Sequence, residues 1–484
     1  MPAPFNALLC AVVAGIGAVL PAGRPADPAD QLERSVSGEA AFAHLRAWQR
    51  AADGSGGTRA TGTPGFEASA RYLVQRLQKA GYRVVRQPVP YEDHRVDIER
   101  AETSPDGAAV RVLMWRWSPS TPPGGIDAPL VAPTADSSAG CEREDYEATP
   151  ADGAVVLLPR ASCGFATQVR VAAEAGARAV LSYMPTPRPD NIYRNHVYDP
   201  VSMTLPIASV TQRWAESAAE RTRRSPVRIR LDLRGHRVTG VTENILAETS
   251  GGRDDRVVMA GAHLDSVGEA PGINDNGAAA AALLETALRL APRQHAVRNK
   301  VRFAWWGAEE LLDVGSEHYI AGLTAAQRRA IALYLNYELI AGPNFGRFVI
   351  DGDDSDNADT GSGPGPAGSG AVERVLTGYY RSRGLAVQPR DIAAIGSDHL
   401  AFQKAGIPIG GLDGGTWQTK TAEQAALFGG RAGDMFDPCY HQPCDTVRNI
   451  HRAELDRNTR AMAWTIGRFA ADVDDVIAER DGSS

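Results

Sequence analysis

The sequence has no excess of basic charge, few cysteines and, beyond residue 20, no long apolar run. Lysine and arginine number 51 against 58 aspartates and glutamates, so the net charge is −7. A nucleic-acid partner, which requires a basic face, is therefore not expected. No segment after residue 20 offers the roughly 20 apolar residues of a membrane-spanning helix, so no membrane partner is expected either. With 43% hydrophobic residues, the 484-residue chain can bury a large core, which excludes a collagen-like or disordered protein.

Several motifs of catalytic and metal sites are also missing. The chain contains no GxSxG and no HExxH, and it has no CxxC pair of the kind that binds zinc through thiolates. Ser397, Asp398 and His399 are consecutive, whereas the members of a nucleophile triad converge from separate parts of a chain. The sequence therefore offers no sign of a serine nucleophile.

The beginning of the chain predicts export. Residues 7–20 are uncharged and almost wholly apolar or small, which is typical of the core of a secretory signal, although no lysine or arginine precedes Arg24. We predict a signal peptide or leader over residues 1–26 and a secreted, extracellular protein; the alternative is a buried N-terminal helix. Cys10 would leave with the signal. The remaining cysteines form two sequence-local pairs, which predict disulfides in an oxidising compartment: Cys141, Cys163, Cys439 and Cys444.

The rest of the chain alternates between predicted strands and helices. Helices are predicted over 38–52, 65–80, 276–290 and near 315–320, and strands over 82–90, 257–262, 301–306 and 331–335. This alternation indicates an α/β fold with a mixed, mainly parallel central sheet sandwiched by helices. A strand–helix–strand block over 154–183, which follows a segment rich in Pro, Gly, Ser and Thr, indicates a smaller inserted α/β domain. We predict that residues 36–117 and 237–478 form the main domain and residues 118–236 the insert.

Metal-binding side chains follow three of the predicted strands, and one more lies near the C-terminus. Because the carboxyl ends of parallel strands meet at one edge of a sheet, we expect these side chains to converge. Two imidazoles and three carboxylates suit zinc, and five ligands suffice for two ions if one carboxylate bridges them. The predicted ligands are His263, Asp275, Glu310, Glu338 and His441, with Asp275 as the bridge.

Three neighbouring residues suggest roles beside the ligands. Asp265 is placed to hold the second ring nitrogen of His263. Glu309 precedes Glu310, and neighbours on an extended segment point to opposite sides, so Glu309 is expected to act on the attacking water as a general base. Tyr440 is expected to donate a hydrogen bond to a developing oxyanion.

These residues and their spacings resemble the secreted bacterial di-zinc aminopeptidases. The resemblance rests on the intervals from His263 to Asp275, Glu310 and Glu338, on the segment from Gly406 to Thr446, and on the Cys-Tyr-His-Gln-Pro-Cys-Asp-Thr motif within it. It covers residues 38–115 and 237–470, and the insert resembles a protease-associated domain. The family implies a zinc exopeptidase fold and removal of N-terminal residues from peptides. It also implies two zinc ions per chain, and we expect a monomer.

The chain departs from the family at two positions near the substrate. Glu338 stands where the family has aspartate, and Gly396 stands where close relatives have an arginine before Ser397 and Asp398. We expect Gly396 and Asp398 to contact the substrate terminus. Two alternative functions are a carboxypeptidase or a glutaminyl-cyclase-like enzyme on the same fold. A third is a catalytically silent binding protein, although this chain retains the ligand set and Glu309.

Overall fold

The computed structural model describes residues 1, 27–104, 106–133, 136–199, 201, 203–356 and 362–482. Apart from Met1, the predicted signal and leader lie outside the described residues, as does Cys10. No helix within the described part of the chain is long and apolar enough to cross a membrane.

The described residues form the following elements. The helices are α1 (Pro28–Ser35), α2 (Gly38–Asp53), α3 (Pro64–Lys79), α4 (Phe165–Glu174), α5 (Gln212–Arg224), α6 (Ala279–Leu290), α7 (Val314–Ala321), α8 (Ala325–Ala330), α9 (Ser369–Ser382), α10 (His399–Lys404), α11 (Ala422–Phe428), α12 (Arg452–Ala471) and α13 (Asp474–Arg480). The strands are β1 (Arg83–Ser104), β2 (Ala109–Val110), β3 (Leu113–Met114), β4 (Ile126–Val131), β5 (Val155–Pro159), β6 (Ala179–Tyr183), β7 (Ile207–Ser209), β8 (Arg228–Glu248), β9 (Arg253–His263), β10 (Asn299–Trp306), β11 (Ile331–Glu338), β12 (Phe348–Ile350), β13 (Gln388–Arg390) and β14 (Ile409–Asp413).

The centre of the sheet is parallel. Strands β10, β9, β11 and β14 lie side by side in one direction, and antiparallel β8 and β12 flank them. The predicted mixed, mainly parallel sheet is confirmed. Each central strand is buried on both faces, as its run of apolar residues requires.

Helices cover both faces of this sheet because successive side chains of a strand point to opposite sides. Val258 and Ala260 of β9 pack into a core that α2, α3, α6 and α12 complete. Met259 of the same strand packs on the other face, with Tyr319 of α7 and Phe402 of α10. The helical sandwich is therefore confirmed, and it leaves the carboxyl edge of the parallel strands free to carry side chains.

The insert is joined to the main sheet by a long two-stranded ribbon. Strands β1 and β8 pair antiparallel along almost their whole length. The first residues of β8 pair with β4 of the insert, whereas its last residues pair with β10 of the main domain. The insert has a core on each face of its own parallel strands β4, β5, β6 and β7, one covered by α5 and the other by α4. One continuous sheet thus fixes the insert to the main domain.

Both predicted disulfides are present. Cys141 is bonded to Cys163 in the insert, and Cys439 is bonded to Cys444 near the end of the main domain. The second bond closes a short loop that contains His441, which belongs to no helix or strand.

Candidate metal centre

The predicted ligands leave three adjacent parts of the sheet. His263 is the last residue of β9, Glu338 is the last residue of β11, and Glu310 follows the end of β10 by four residues. Asp275 lies in the turn 273–278 that leads into α6. The backbone of Asp275 and Asn276 is not helical, and the peptide bond between them is cis. The predicted helix start at Asn276 was too early, because regular helix begins at Ala279.

Asp275 lies between the two histidines. One carboxylate oxygen, Oδ1, is 3.4 Å from Nε2 of His263, and the other, Oδ2, is 3.1 Å from Nε2 of His441. Glu338 completes the group around His263, with Oε1 3.1 Å from Nε2, and Glu310 completes the group around His441, with Oε2 3.4 Å from Nε2. The structure therefore brings all five predicted ligands together as two groups that share Asp275.

The polar atoms of this cluster fit divalent metal ions. Oδ2 of Asp275 and Oε1 of Glu310 are buried and accept no hydrogen bond, although such atoms are rarely left without a partner. Three carboxylates and two imidazoles within a few ångströms are also the ligands that zinc prefers. The residues present therefore fit a metal ion in each group.

Attraction between the imidazoles and the carboxylates holds the cluster together. Burial alone would lower the pKa of His441, but the carboxylates of Glu310 and Asp275 outweigh it and raise that pKa to about 10. Burial likewise opposes ionisation of Asp275, but the nearby imidazoles of His263 and His441 hold its pKa below the ordinary value. In the metal-free protein the imidazoles therefore carry protons that offset the buried negative charge.

Asp265 supports both His263 and the two glutamates. Its backbone carbonyl is 3.1 Å from Nδ1 of His263, whereas its carboxylate oxygen is 3.6 Å away. The carboxylate accepts hydrogen bonds from the backbone N–H groups of Glu309 and Glu310, at 3.3 and 3.4 Å. Asp265 thus links the end of β9 to the turn that follows β10.

The prediction that Glu309 and Glu310 lie on an extended segment was wrong. Residues 309–311 form a short 3-10 turn, entered through Ala308 at a φ of 60°. The two side chains still reach different groups: Oε2 of Glu309 is 3.5 Å from Nε2 of His263, whereas Glu310 faces His441. Burial raises the pKa of Glu309 well above its usual range, and this favours a proton-accepting role once positive charge is near.

Left-handed backbone is concentrated around the cluster. Of the seven described residues other than glycine with positive φ, five lie within a few residues of a predicted ligand. They are Ala308, Leu312, Asp313, Leu339 and His441 itself. Such conformations cost about 1 kcal/mol or more each and are typical of functional sites.

Two asparagines and two aspartates hold the turn that carries Asp275. Asn276 donates from its amide to the carbonyl of Tyr337, at 2.8 Å, at the end of β11. Asp445 accepts hydrogen bonds from the backbone N–H groups of Asn274 and Asp275, at 2.9 and 3.1 Å. The Asn274 amide donates to Asp437, 2.7 Å away, so the turn is also tied to the residues that flank the His441 loop.

Tyr440 lies against His441. Their rings stack with centroids 3.9 Å apart. Burial and the nearby negative charge of Asp275 raise the pKa of the Tyr440 phenol well above its ordinary value, so the hydroxyl keeps its proton at neutral pH. The phenol can therefore donate a hydrogen bond.

Gly396 and Asp398, which we predicted to contact the substrate, flank Ser397, and Ser397 contacts Glu338. Ser397 donates to Oε2 of Glu338 at 2.8 Å, and the exposed Gly396 precedes it at a φ of 59°. Asp398 is fully buried near Asp313, and burial raises its pKa well above the ordinary value. The roles in substrate binding that we assigned to Gly396 and Asp398 stay predictions.

Arg59, a fully buried cation near the site, is a functional residue that the sequence did not predict. Its guanidinium donates to the carbonyl of Pro271 at 2.8 Å and also to the carbonyls of Leu264 and Gly272. These three carbonyls span the loop that connects His263 to Asp275. Burial lowers the pKa of Arg59 to about 10, so the group stays charged at neutral pH. A single arginine in a turn carries no signal in the sequence, because an exposed arginine there would look the same.

A buried cluster of imidazoles and carboxylates at the carboxyl edge of a parallel α/β sheet defines the class of metal-dependent hydrolases. The sequence profile of peptidase family M28 matches residues 244–466, and that of the PA domain matches residues 126–217. The chain is 39% identical over 447 residues to a probable lipoprotein aminopeptidase, LpqL, of Mycobacterium tuberculosis, with 91% of this chain and 87% of the relative covered. The chain therefore belongs to peptidase family M28 and carries an inserted PA domain, which confirms the resemblance.

Solved structures share the fold over most of the chain. A peptidase M28 precursor from Shewanella amazonensis superposes with a TM-score of 0.70 at 22% identity, covering 92% of this chain and 96% of that one. A zinc aminopeptidase from Bacillus subtilis gives a TM-score of 0.66 at 19% identity, covering 89% and 94%. At these identities the likeness supports the fold.

Metal affinity is expected to rise with pH. A metal-bound imidazole must be neutral, whereas His441 of the metal-free protein holds its proton up to about pH 10. Its pKa is raised from 6.5, so its charge pairs stabilise the metal-free fold fully below pH 6.5, and this stability is lost as the pH rises through 10. Apparent zinc affinity should therefore increase about tenfold per pH unit between pH 6.5 and 8.5. Competition with a chelator measures it, with exposed His236→Ala as the control; a flat profile would contradict the assignment.

Removing the Arg59 guanidinium is expected to loosen the metal site. Arg59→Met leaves three buried carbonyls without their donor, and zinc affinity should fall by about 10- to 100-fold. Arg59→Lys, which keeps the charge but makes fewer hydrogen bonds, should lose less. Zinc retained against a chelator is measured beside far-ultraviolet circular dichroism, with exposed Arg50→Met as the control. Wild-type affinity in folded Arg59→Met would show that the loop does not need this contact.

Proposed function

We propose that this protein is an exported, zinc-dependent aminopeptidase that hydrolyses N-terminal residues from peptides. The observation that carries the proposal is Asp275, whose two carboxylate oxygens face His263 and His441 separately. A shared carboxylate between two ligand groups is what a pair of catalytic ions requires. The names of the Mycobacterium relative and of the Bacillus structure, an aminopeptidase and a zinc aminopeptidase, point the same way.

We further propose two zinc ions per chain. His263 and Glu338 would hold one ion, His441 and Glu310 the other, and Asp275 would bridge them. The longer side chain of Glu338 suits its place in this structure, because it reaches His263 while Ser397 holds its second oxygen. Zinc, when bound, lowers the pKa of coordinated water and polarises the carbonyl of the scissile bond.

The residues beside the ligands would carry the proton transfers. Glu309 accepts a proton from the attacking water as the water oxygen bonds to the carbonyl carbon, and it then gives that proton to the leaving amine nitrogen as the C–N bond breaks. Tyr440 donates a hydrogen bond to the carbonyl oxygen while negative charge develops on it. Asp265 keeps His263 and the backbone of Glu309 in register for these steps.

The location, the oligomeric state and the domain bounds complete the proposal. We propose that the chain is secreted with a leader over residues 1–26, is monomeric, and divides into a main domain of residues 36–117 and 237–478 and an insert of residues 118–236. Two disulfides, a lipoprotein aminopeptidase among the relatives and the apolar residues 7–20 support a location outside the cytoplasm.

Glu309 is the residue whose loss should separate chemistry from metal binding. Glu309→Gln removes the proton acceptor but keeps the shape of the side chain, so kcat should fall at least about 100-fold while zinc content stays at the wild-type value. Steady-state kinetics and elemental analysis measure both quantities, with Glu174→Gln, an exposed position on α4, as the control. Near wild-type turnover in Glu309→Gln would exclude the proposed base.

A substrate panel tests the end-specificity and the alternatives. We expect cleavage of leucine p-nitroanilide, no cleavage of its N-acetyl derivative, and two zinc ions per chain. Cleavage restricted to N-blocked peptides with a free C-terminus would instead indicate a carboxypeptidase. Ammonia release from an N-terminal glutaminyl peptide would indicate a cyclase, and no turnover of any substrate would indicate a binding protein.

A further inference from the structure

The insert contains a cavity of about 330 Å³. Its wall includes several aromatic side chains, among them Trp115, Phe165 and Tyr193. The wall is also held in place: the rings of Trp115 and Phe165 pack at a tilt of 31° with centroids 4.4 Å apart, and Nε1 of Trp115 donates to Ser209 at 2.8 Å. A concave, mostly apolar cavity with a few polar groups is the usual form of a ligand site.

One wall of this cavity lies against the loop that carries His441. The segment 191–198 lines the cavity and packs against the loop that carries His441. The amide of Asn191 donates to the carbonyl of Pro438 at 3.0 Å, and the amide of Gln442 donates to the carbonyl of Ile192 at 2.8 Å. Two hydrogen bonds between the insert and the main domain therefore place the cavity beside the loop that carries His441.

Tyr198 belongs to the cavity wall and lies within electrostatic range of the metal centre. It lines the cavity and is 70% exposed, yet enough protein surrounds its phenol for desolvation to raise its pKa. Arg160, Glu309 and Asp313 act on the same phenol electrostatically. A side chain that is open to water and also surrounded by protein lies at the rim of a cleft. Tyr198 therefore lies close enough to both Arg160 of the cavity wall and Glu309 of the metal centre for their charges to act on it.

Arg160 supplies a free positive charge at the same rim. Its guanidinium lies 5.5 Å from the ring centroid of Trp417 in the main domain, and within the described part of the chain no carboxylate lies within ion-pair distance of it. Two other arginines of the insert that face the main domain are paired: Arg188 with Asp434, and Arg194 with Glu99 and Glu269. Arg160 is therefore available to an anionic ligand.

We propose that this cavity binds the part of a peptide substrate downstream of the scissile bond, with an apolar or aromatic side chain inside it and the C-terminal carboxylate on Arg160. The inference rests on the proposed function, because it places the substrate's amine end at the metal centre. The preferred substrates are then short peptides with a free C-terminus and an apolar last residue.

The test compares Leu-Gly-Phe with its C-terminal amide and with leucine p-nitroanilide, which has no downstream residue. The wild-type protein should prefer the free acid over the amide at least about tenfold in kcat/KM, through a lower KM. Arg160→Ala should abolish that preference, and Tyr198→Ala should lower the ratio of peptide to anilide turnover. Arg178→Ala, at an exposed arginine of the insert outside the cavity, is the matched control and should keep the wild-type preference.

The outcomes separate this inference from the proposed function. If the wild-type protein cleaves the anilide but shows no preference for the free acid, or if Arg160→Ala keeps that preference, the inference is wrong and the aminopeptidase assignment stands. If no substrate is cleaved, the proposed function fails. Calorimetric binding of Leu-Gly-Phe to the wild-type protein and to Arg160→Ala then decides the inference: at least tenfold weaker binding to the variant supports it, and equal binding overturns it.

Discussion

The rest of the site depends on one group, the carboxylate of Asp275, which the two histidine groups share. It faces His263 on one side and His441 on the other, and every other predicted ligand joins one of these two groups. Burying several carboxylates together is expensive unless positive charge is buried with them. In the metal-free protein the two imidazoles supply that charge, and the same residues fit metal ions when the imidazoles are neutral. The cluster is thus built around charge compensation.

Placing Asp275 there requires most of the surrounding backbone. Its turn is held by Asp445, by the amide of Asn276 on the end of β11 and by Arg59 on the preceding loop. Left-handed residues beside Glu310 and Glu338, and the left-handed backbone of His441 itself, add a conformational cost that these hydrogen bonds and the packed core offset. The precision of the centre therefore comes from residues that do not touch a ligand atom. The large buried polar network at this edge of the sheet thus serves to place Asp275.

The insert and the main domain are joined by one sheet and by ion pairs. The ribbon of β1 and β8 makes one sheet of both domains, and Arg194 ties the insert to β1 and to the loop after His263. A segment of the insert also packs on the His441 loop. The insert therefore lies directly beside the loop that carries His441.

The sequence alone determined the sheet, the helical layers, both disulfides and the set of residues that converge at the centre. It could do so because alternating strands and helices force a parallel sheet, and the ends of parallel strands share one edge. The 3-10 turn at Glu309, the late start of α6 and the support from Arg59 were decided only by tertiary structure. Each depends on hydrogen bonds between segments far apart in the chain, such as Asp265 to the backbone of Glu310 and Arg59 to the carbonyl of Pro271. Local patterns of apolar residues carry no record of such partners.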